Sequence, residues 1–137
     1  MNCNSQRGQF AVVEKIFEYK NHECICIFNK YGYRCGYVSV SENFNEEDDI
    51  DCHGGITFRC SPLPYQYGQN QPCFIGFDCG HFGDGIDLEQ AREYGLNAVN
   101  IGPSLFSEEN CVRSLEDVEN ECKKIVDQIE NKYYVRK

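Results

Sequence analysis

Two short clusters of residues combine histidine and aspartate with several glycines. The first covers residues 51–59 and contains His53; the second covers residues 76–85 and contains Asp78 and His81. Each cluster adjoins a short apolar run, and glycine lets a ligand approach the backbone closely. Polar side chains in the loops that follow or precede strands often form sites, so these clusters are the first candidates for function.

Four interpretations compete for the two clusters, and the first three involve a metal ion, a thiol nucleophile or the loop backbone. A metal-ligating set would consist of His53, Asp78, His81 and Asp84. Such oxygen and nitrogen donors suit zinc or manganese and can activate water for hydrolysis, although no HExxH or comparable signature is present. A thiol nucleophile would be Cys79, activated by a neighbouring histidine. In the third interpretation the polar side chains only hydrogen-bond the loop backbone.

A pocket for a nucleotide-like ligand is the fourth interpretation. Phe82 lies on a glycine-flanked segment and could stack on a base, an interaction of about 1–3 kcal/mol. Arg59 and Arg113 adjoin apolar segments and carry the forked donors that hold phosphate oxygens. Asp78 and His81, next to Phe82, complete the candidate ligand-binding set. The glycine runs match neither GxGxxG nor a P-loop, which argues against a Rossmann or NTPase site.

The charge of the chain narrows the class of partner. It has 22 acidic residues against 13 Lys and Arg, a formal charge of −9. This excess argues against a nucleic-acid polymer or a membrane surface, because both attract cationic proteins. A small anion held by a few local arginines remains compatible with it. No apolar run reaches the roughly 18 residues of a membrane span.

The ten cysteines are interpreted as buried, reduced thiols. No CxxC pair occurs, so the ligand spacing typical of structural zinc sites is missing. The first seven residues lack the apolar core of a signal peptide. We therefore expect a cytoplasmic protein, in which disulfides are rare, and neither a metal nor another cofactor.

Short runs of β-branched and aromatic residues predict a mainly β N-terminal part. Residues 23–28 and 33–40 predict a β-hairpin, and residues 55–58 and 74–77 predict two further buried strands. The run Ala11–Tyr19 fits both a strand and a helix, and we assign it to a strand.

The C-terminal segment predicts an amphipathic helix with Ser114 as its N-cap. The apolar residues at three- and four-residue steps are Leu115, Val118, Cys122, Ile125, Val126, Ile129 and Tyr133. A second, short helix is predicted at residues 88–94. No repeat or linker divides residues 1–137, so we predict a single α+β domain, an antiparallel sheet in the N-terminal two-thirds packed by C-terminal helices. The apolar stripe of the C-terminal helix also predicts a homo-oligomer, a dimer or larger.

Three motifs, in this order, resemble a family of small phage and prophage proteins. They are RCGYVSV at 34–40, HGGITF at 53–58 and GFDCGHFGD at 76–84. The C-terminal helix, with VENEC at 118–122, resembles the end of the same family, so the resemblance covers most of the chain. The chain departs from the family pattern at residues 41–44, where the family has a segment with proline and histidine.

On this resemblance, the family includes the Thoeris anti-defence sponges. These proteins capture the cyclic ADP-ribose-type signal of bacterial TIR-domain enzymes without degrading it. The resemblance implies pockets within a homo-oligomer, an aromatic ring on the adenine and arginines on the phosphates. Phe82, Arg59 and Arg113 match those roles. We therefore expect a non-enzymatic phage protein that sequesters this cyclic adenine nucleotide in the host bacterial cytoplasm and inhibits defence. A small metal-dependent nucleotide hydrolase is the alternative.

Overall fold

The computed structural model describes residues 11–29, 31–41, 44, 50–61, 73–80, 85–95 and 112–135. Within them the elements are the strands β1 (Ala11–Tyr19), β2 (His22–Asn29), β3 (Arg34–Val40), β4 (Phe58–Ser61) and β5 (Cys73–Asp78), and the helices α1 (Leu88–Glu93) and α2 (Leu115–Val135). The strands form one antiparallel sheet in the order β1-β2-β3-β5-β4. The predicted α+β class is confirmed, as is the assignment of Ala11–Tyr19 to a strand. No helix in these ranges combines the length and apolar character needed to cross a membrane.

Two tight turns connect the first three strands. Lys20 and Asn21 form the two-residue connection between β1 and β2, and both have positive φ, 49° and 69°. Positive φ at both central residues is what a type I′ hairpin turn requires. In the β2–β3 turn the Asn29 carbonyl accepts the N–H of Gly32 at 3.1 Å, and its side-chain oxygen accepts the N–H of Tyr31 at 2.9 Å. Short turns of this kind set the register of the strands they join.

The main core lies between the sheet and α2. Cys24 and Cys26 of β2 face the helix, while Ile25 and Ile27 lie on the other face with Phe74, as the period of two in a strand requires. The predicted apolar stripe of α2 is buried against the sheet through Val118, Cys122, Ile125, Val126 and Ile129. Tyr133, the last residue of the predicted stripe, has a side chain outside the described part of the chain.

β1 contains a β-bulge at Glu14. Val13 pairs with Ile27 and Lys15 pairs with Cys26, so Glu14 is the extra residue on the bulged strand. A bulge changes the direction in which a side chain points. Here the Glu14 side chain is only 3% exposed, although β1 is an edge strand of the sheet.

The strand predicted at residues 55–58 is wrong in its bounds. β4 begins at Phe58, the last residue of that run. Gly54 and Gly55 both have positive φ, 70° and 81°, and the N–H of Gly55 donates to the Cys52 carbonyl at 2.9 Å. The two glycines therefore form a turn, since positive φ is incompatible with a strand. The strand predicted at residues 74–77 is confirmed within β5.

Two glycines allow aromatic rings to lie across the sheet. A Cβ at Gly36 would fall 2.6 Å from the Phe77 ring, on the face that packs against α2. Gly76 lies between Tyr37 and Phe58 in the pairing, and these two rings meet edge to face with centroids 5.3 Å apart. Both glycines are therefore required by close approach of a ring to the backbone.

Gly36→Ala is expected to destabilise the protein by about 1–3 kcal/mol, because the new methyl group forces the Phe77 ring out of a packed core. Denaturant unfolding measures the change in the free energy of unfolding. In a Phe77→Leu background the same substitution should cost clearly less, since the ring is gone. Equal costs in the two backgrounds would show that the ring does not explain the need for glycine.

Candidate functional site

A cleft of about 130 Å³ brings both sequence clusters together with one predicted arginine. Its lining residues are His53, Cys79, Arg113, Asp117, Asn120 and Glu121. His53 belongs to the cluster at 51–59, Cys79 to the cluster at 76–85, and Arg113 lies just before α2. We call this the Arg113 cleft.

The backbone of Arg113 is held on both sides. The following residue, Ser114, accepts the N–H of Asp117 on its Oγ at 3.1 Å and donates its own N–H to Asp117 Oδ2 at 2.9 Å. This reciprocal pair is a capping box, which confirms Ser114 as the N-cap of α2. The Arg113 carbonyl accepts a hydrogen bond from Arg34 Nη1 at 3.1 Å. These hydrogen bonds therefore hold the main chain of Arg113 in place at the cleft.

The loop that carries His53 is fastened to α2. The His53 N–H donates to Glu121 Oε1 at 2.8 Å. Two residues earlier, the Gln128 side chain accepts the Asp51 N–H at 2.8 Å and donates to the Asp51 carbonyl at 2.7 Å. These bonds to one face of the helix bring His53 to the cleft.

Cys79 forms the wall that follows β5. Its N–H donates to the Arg34 carbonyl at 2.8 Å, which continues the pairing of β3 with β5. The next residue, Gly80, lies against Tyr33, where a Cβ would fall 2.5 Å from the ring. A larger residue at position 80 would displace this wall.

The Arg113 cleft contains groups of both charges. Arg113 is its arginine, and Asp117 and Glu121 are carboxylates. One oxygen of each carboxylate already accepts a backbone N–H, from Ser114 and from His53. The cleft thus places a cation beside hydrogen-bond acceptors, an arrangement suited to a ligand with both phosphate and hydroxyl groups.

Two of the other predicted site residues lie elsewhere. Asp78 Oδ2 accepts the Thr57 hydroxyl at 3.2 Å, and Asp78 Oδ1 accepts the Gly80 N–H at 3.0 Å. These bonds link the two loops, as in the interpretation in which polar side chains bond the loop. Arg59 is exposed on the edge strand β4. Neither residue lines the Arg113 cleft.

Phe82, His81 and Asp84 lie outside the described residues. The stacking role predicted for Phe82 and half of the metal-ligating set are therefore not placed by the structure. Within the described ranges, no group of three or more His, Cys, Asp or Glu side chains is arranged to hold a metal ion.

A buried charged cluster behind the cleft was missed by the sequence analysis. Arg34 Nε donates to Glu14 Oε1 at 2.7 Å, and Nη2 donates to Glu14 Oε2 at 3.1 Å, with the two side chains 5% and 3% exposed. Arg34 Nη1 donates to Asp87 Oδ2 at 3.3 Å and to the Arg113 carbonyl. The Tyr94 hydroxyl donates to Glu14 Oε2 at 2.6 Å. We call Glu14, Arg34, Asp87 and Tyr94 the Arg34 cluster.

Two members of the Arg34 cluster, Arg34 and Tyr94, have raised pKa values. Burial by itself would lower the pKa of Arg34, but the hydrogen bonds and charges of Glu14 and Asp87 together outweigh it and raise that pKa. Burial, followed by the hydrogen bond to Glu14, raises the pKa of Tyr94 to about 12. At neutral pH Arg34 is therefore a cation and Tyr94 a hydrogen-bond donor. The guanidinium also lies over the Phe28 ring, 4.9 Å from its centroid, where a cation–π interaction adds to the pairing.

A second cleft, of about 310 Å³, lies beside the β1–β2 turn and the later turns of α2. Its lining includes Lys20, His22, Ser39, Phe44, Ile129 and Glu130. His22 Nδ1 lies 2.6 Å from the Ser39 carbonyl, and His22 Nε2 lies 2.7 Å from Glu130 Oε2. The His22 ring is thus held between a main-chain carbonyl and the Glu130 carboxylate. None of the predicted site residues in the described ranges lines this cleft.

The chain was compared with protein-family models, with curated proteins and with solved structures. None of the three comparisons found a match.

The seven cysteines whose side chains are described are all free thiols. Burial, aided by the charge of Asp78, raises the pKa of Cys35 to about 12. Burial, aided by the charge of Glu121, raises the pKa of Cys52 to about 11. Hydrogen bonds with the thiols of β2 raise the pKa of Cys122 as well. Because the thiolate is the reactive form, these cysteines are poor nucleophiles in the folded protein.

In the folded protein, Cys35 and Cys52 are expected to react with iodoacetamide at pH 8 more than about 100-fold slower than in the unfolded chain, where a thiol has a pKa of about 8.5. Mass spectrometry of peptides alkylated with and without guanidinium chloride measures the rates. Reaction of either thiol at the unfolded rate in native protein would contradict the raised pKa values.

Proposed function

We propose that the protein binds a small cyclic adenine nucleotide of the cyclic ADP-ribose type in the Arg113 cleft and sequesters it unchanged. The observation that carries this proposal is the position of Arg113. Arg113 lines a cleft shared by both glycine-containing clusters, and its backbone is held by the capping box of α2 and by Arg34. A guanidinium on a fixed backbone is well suited to pair with phosphate oxygens. Ribose hydroxyls can donate to Asp117 and Glu121.

The described cleft accommodates only part of such a ligand. Its volume of about 130 Å³ is below the roughly 300–1,000 Å³ of ordinary ligand pockets. In the proposal, Phe82 stacks on the adenine and a second copy of the chain supplies a further wall.

Because a second copy completes the pocket, light scattering of the purified protein is expected to give the mass of two or more chains. A monomer at micromolar concentration would contradict a pocket shared between two copies.

Sequestration acts by mass action, because bound signal cannot reach its effector. To compete at low signal concentration the affinity has to be nanomolar, which corresponds to about −12 kcal/mol. In the proposal a phage supplies the protein, and the signal removed is the product of host TIR-domain enzymes. The mixed charge of the cleft supports binding of an anion that also carries hydroxyl groups, and no bond in that ligand has to be broken.

When the protein is mixed with cyclic ADP-ribose and passed through a spin filter, we expect the ligand to stay with the protein. Heat denaturation should then release it intact, and mass spectrometry of the supernatant measures its recovery. Recovery of a degraded product would instead favour the hydrolase. Ligand that passes the filter freely would contradict both functions.

Phe82→Ala is expected to weaken binding of cyclic ADP-ribose by about 1–3 kcal/mol through loss of stacking. Arg113→Ala should cost at least as much, because a desolvated phosphate loses its charged partner. His53→Ala should matter less, since sequestration requires no proton transfer. Arg92→Ala, at an exposed arginine of α1, is the matched control and should bind like wild type. Calorimetry measures all four variants, and unchanged binding by folded Phe82→Ala and Arg113→Ala would contradict the site.

A further inference from the structure

We propose that Arg34 is a positioning residue for Arg113: it is buried behind the cleft and holds the Arg113 main chain so that the Arg113 guanidinium faces the ligand. This inference rests on the proposed function, in which Arg113 binds phosphate. Arg34 is not among the residues that line the cleft, so it acts through Arg113.

The contacts of Arg34 fall into two sets. Nε and Nη2 are bound by the two oxygens of Glu14, at 2.7 and 3.1 Å. Nη1 points the other way, to Asp87 Oδ2 at 3.3 Å and to the Arg113 carbonyl at 3.1 Å. Because a guanidinium is planar and rigid, binding one edge to Glu14 determines where the other nitrogen lies. The Arg113 carbonyl is thus held by a donor whose own position is determined.

Glu14 is itself held in place. It sits at the bulge of β1, its side chain is 3% exposed, and its Oε2 also accepts the Tyr94 hydroxyl at 2.6 Å. A buried carboxylate cannot be hydrogen-bonded by bulk water, so the groups that donate to it determine its position. A continuous series of hydrogen bonds therefore leads from Tyr94 through Glu14 and Arg34 to Arg113.

Arg34 also contacts the opposite wall of the cleft. Its carbonyl accepts the Cys79 N–H at 2.8 Å, while its side chain binds the Arg113 carbonyl. One residue thus joins the two walls, and a change in its side chain alters one wall relative to the other. Lysine cannot replace it, because a single ammonium lacks the planar fork that pairs with Glu14 and reaches the Arg113 carbonyl at once.

A double-mutant cycle tests the proposal. Calorimetry with cyclic ADP-ribose is carried out on wild type, Arg34→Lys, Arg113→Ala and the double variant. We expect Arg34→Lys to weaken binding about tenfold in the wild-type background, within the usual coupling of residues in contact, and less than about twofold in the Arg113→Ala background. An equal loss in both backgrounds would assign Arg34 a merely structural role and overturn the proposal.

Arg92→Lys makes the same substitution at an exposed position of α1 and should leave binding unchanged. Circular dichroism melts check that each variant folds, since removing one partner of a buried ion pair is strongly destabilising. If Arg34→Lys does not fold, the combined change Glu14→Gln and Arg34→Gln replaces it in the cycle. That pair is neutral and leaves neither partner as an unpaired buried charge, and the same two outcomes apply.

A measurement without ligand separates failure of this proposal from failure of the proposed function. Nitrogen-15 relaxation reports fast motion of the Arg113 Nε–H and of the Ser114 backbone N–H. We expect their order parameters to fall in Arg34→Lys and to stay at the wild-type value in Arg92→Lys. If wild type does not bind cyclic ADP-ribose but the order parameters fall, the proposed function is wrong and the positioning role stands. Unchanged order parameters overturn the positioning role, whatever the binding result.

Discussion

The buried guanidinium of Arg34 is the constraint on which the arrangement of the other elements depends. A charge removed from water costs several kcal/mol unless good partners satisfy it, and loss of one partner costs about 3–5 kcal/mol. Its partners are Glu14 at the β1 bulge, Asp87 directly before α1 and Arg113 two residues before α2. Asp87 serves twice, because its second oxygen caps α1 by accepting the Gln90 N–H at 3.1 Å. The segments that carry Glu14, Asp87 and Arg113 therefore have to pack around Arg34 at the same time.

Most of the fold could be predicted because the buried faces of β2, β3, β5 and α2 follow the period of their element. β1 was ambiguous for a physical reason. The bulge at Glu14 shifts the alternation of β1, so that Val13 and Ile16 lie on the same face of the sheet. Their cross-strand partners in β2 are Ile27 and Ile25. A spacing of three between residues on one face is typical of a helix. Pairing with β2 makes this segment a strand, and the local pattern of residues does not reveal that pairing.

The candidate site could be predicted only in part. Arg113 and His53 were found because they adjoin apolar elements, and both line the cleft. Asp78 was also chosen for its position after a strand, but its carboxylate bonds Thr57 and Gly80 in the neighbouring loops. Arg34 was missed because its carboxylate partners lie 20 and 53 residues away in the chain. An arginine at the start of a strand is ordinarily exposed, and only the tertiary structure shows that this one is buried.

An acidic chain can hold an anionic ligand only where local geometry outweighs the net charge of −9. Screening limits the distant acids, because the Debye length is about 8 Å at physiological ionic strength. Among the residues that the structure describes, the acids lining the cleft are Asp117 and Glu121, and each has an oxygen that accepts a backbone N–H. Binding has to order both the loops and the side chains of a site, so a main chain held in advance at Arg113 removes the main-chain part of that cost. In the proposed function the protein retains its ligand, and the lower ordering cost would raise the affinity on which that retention depends. The buried cluster behind the cleft would then serve the ligand through the main chain of Arg113.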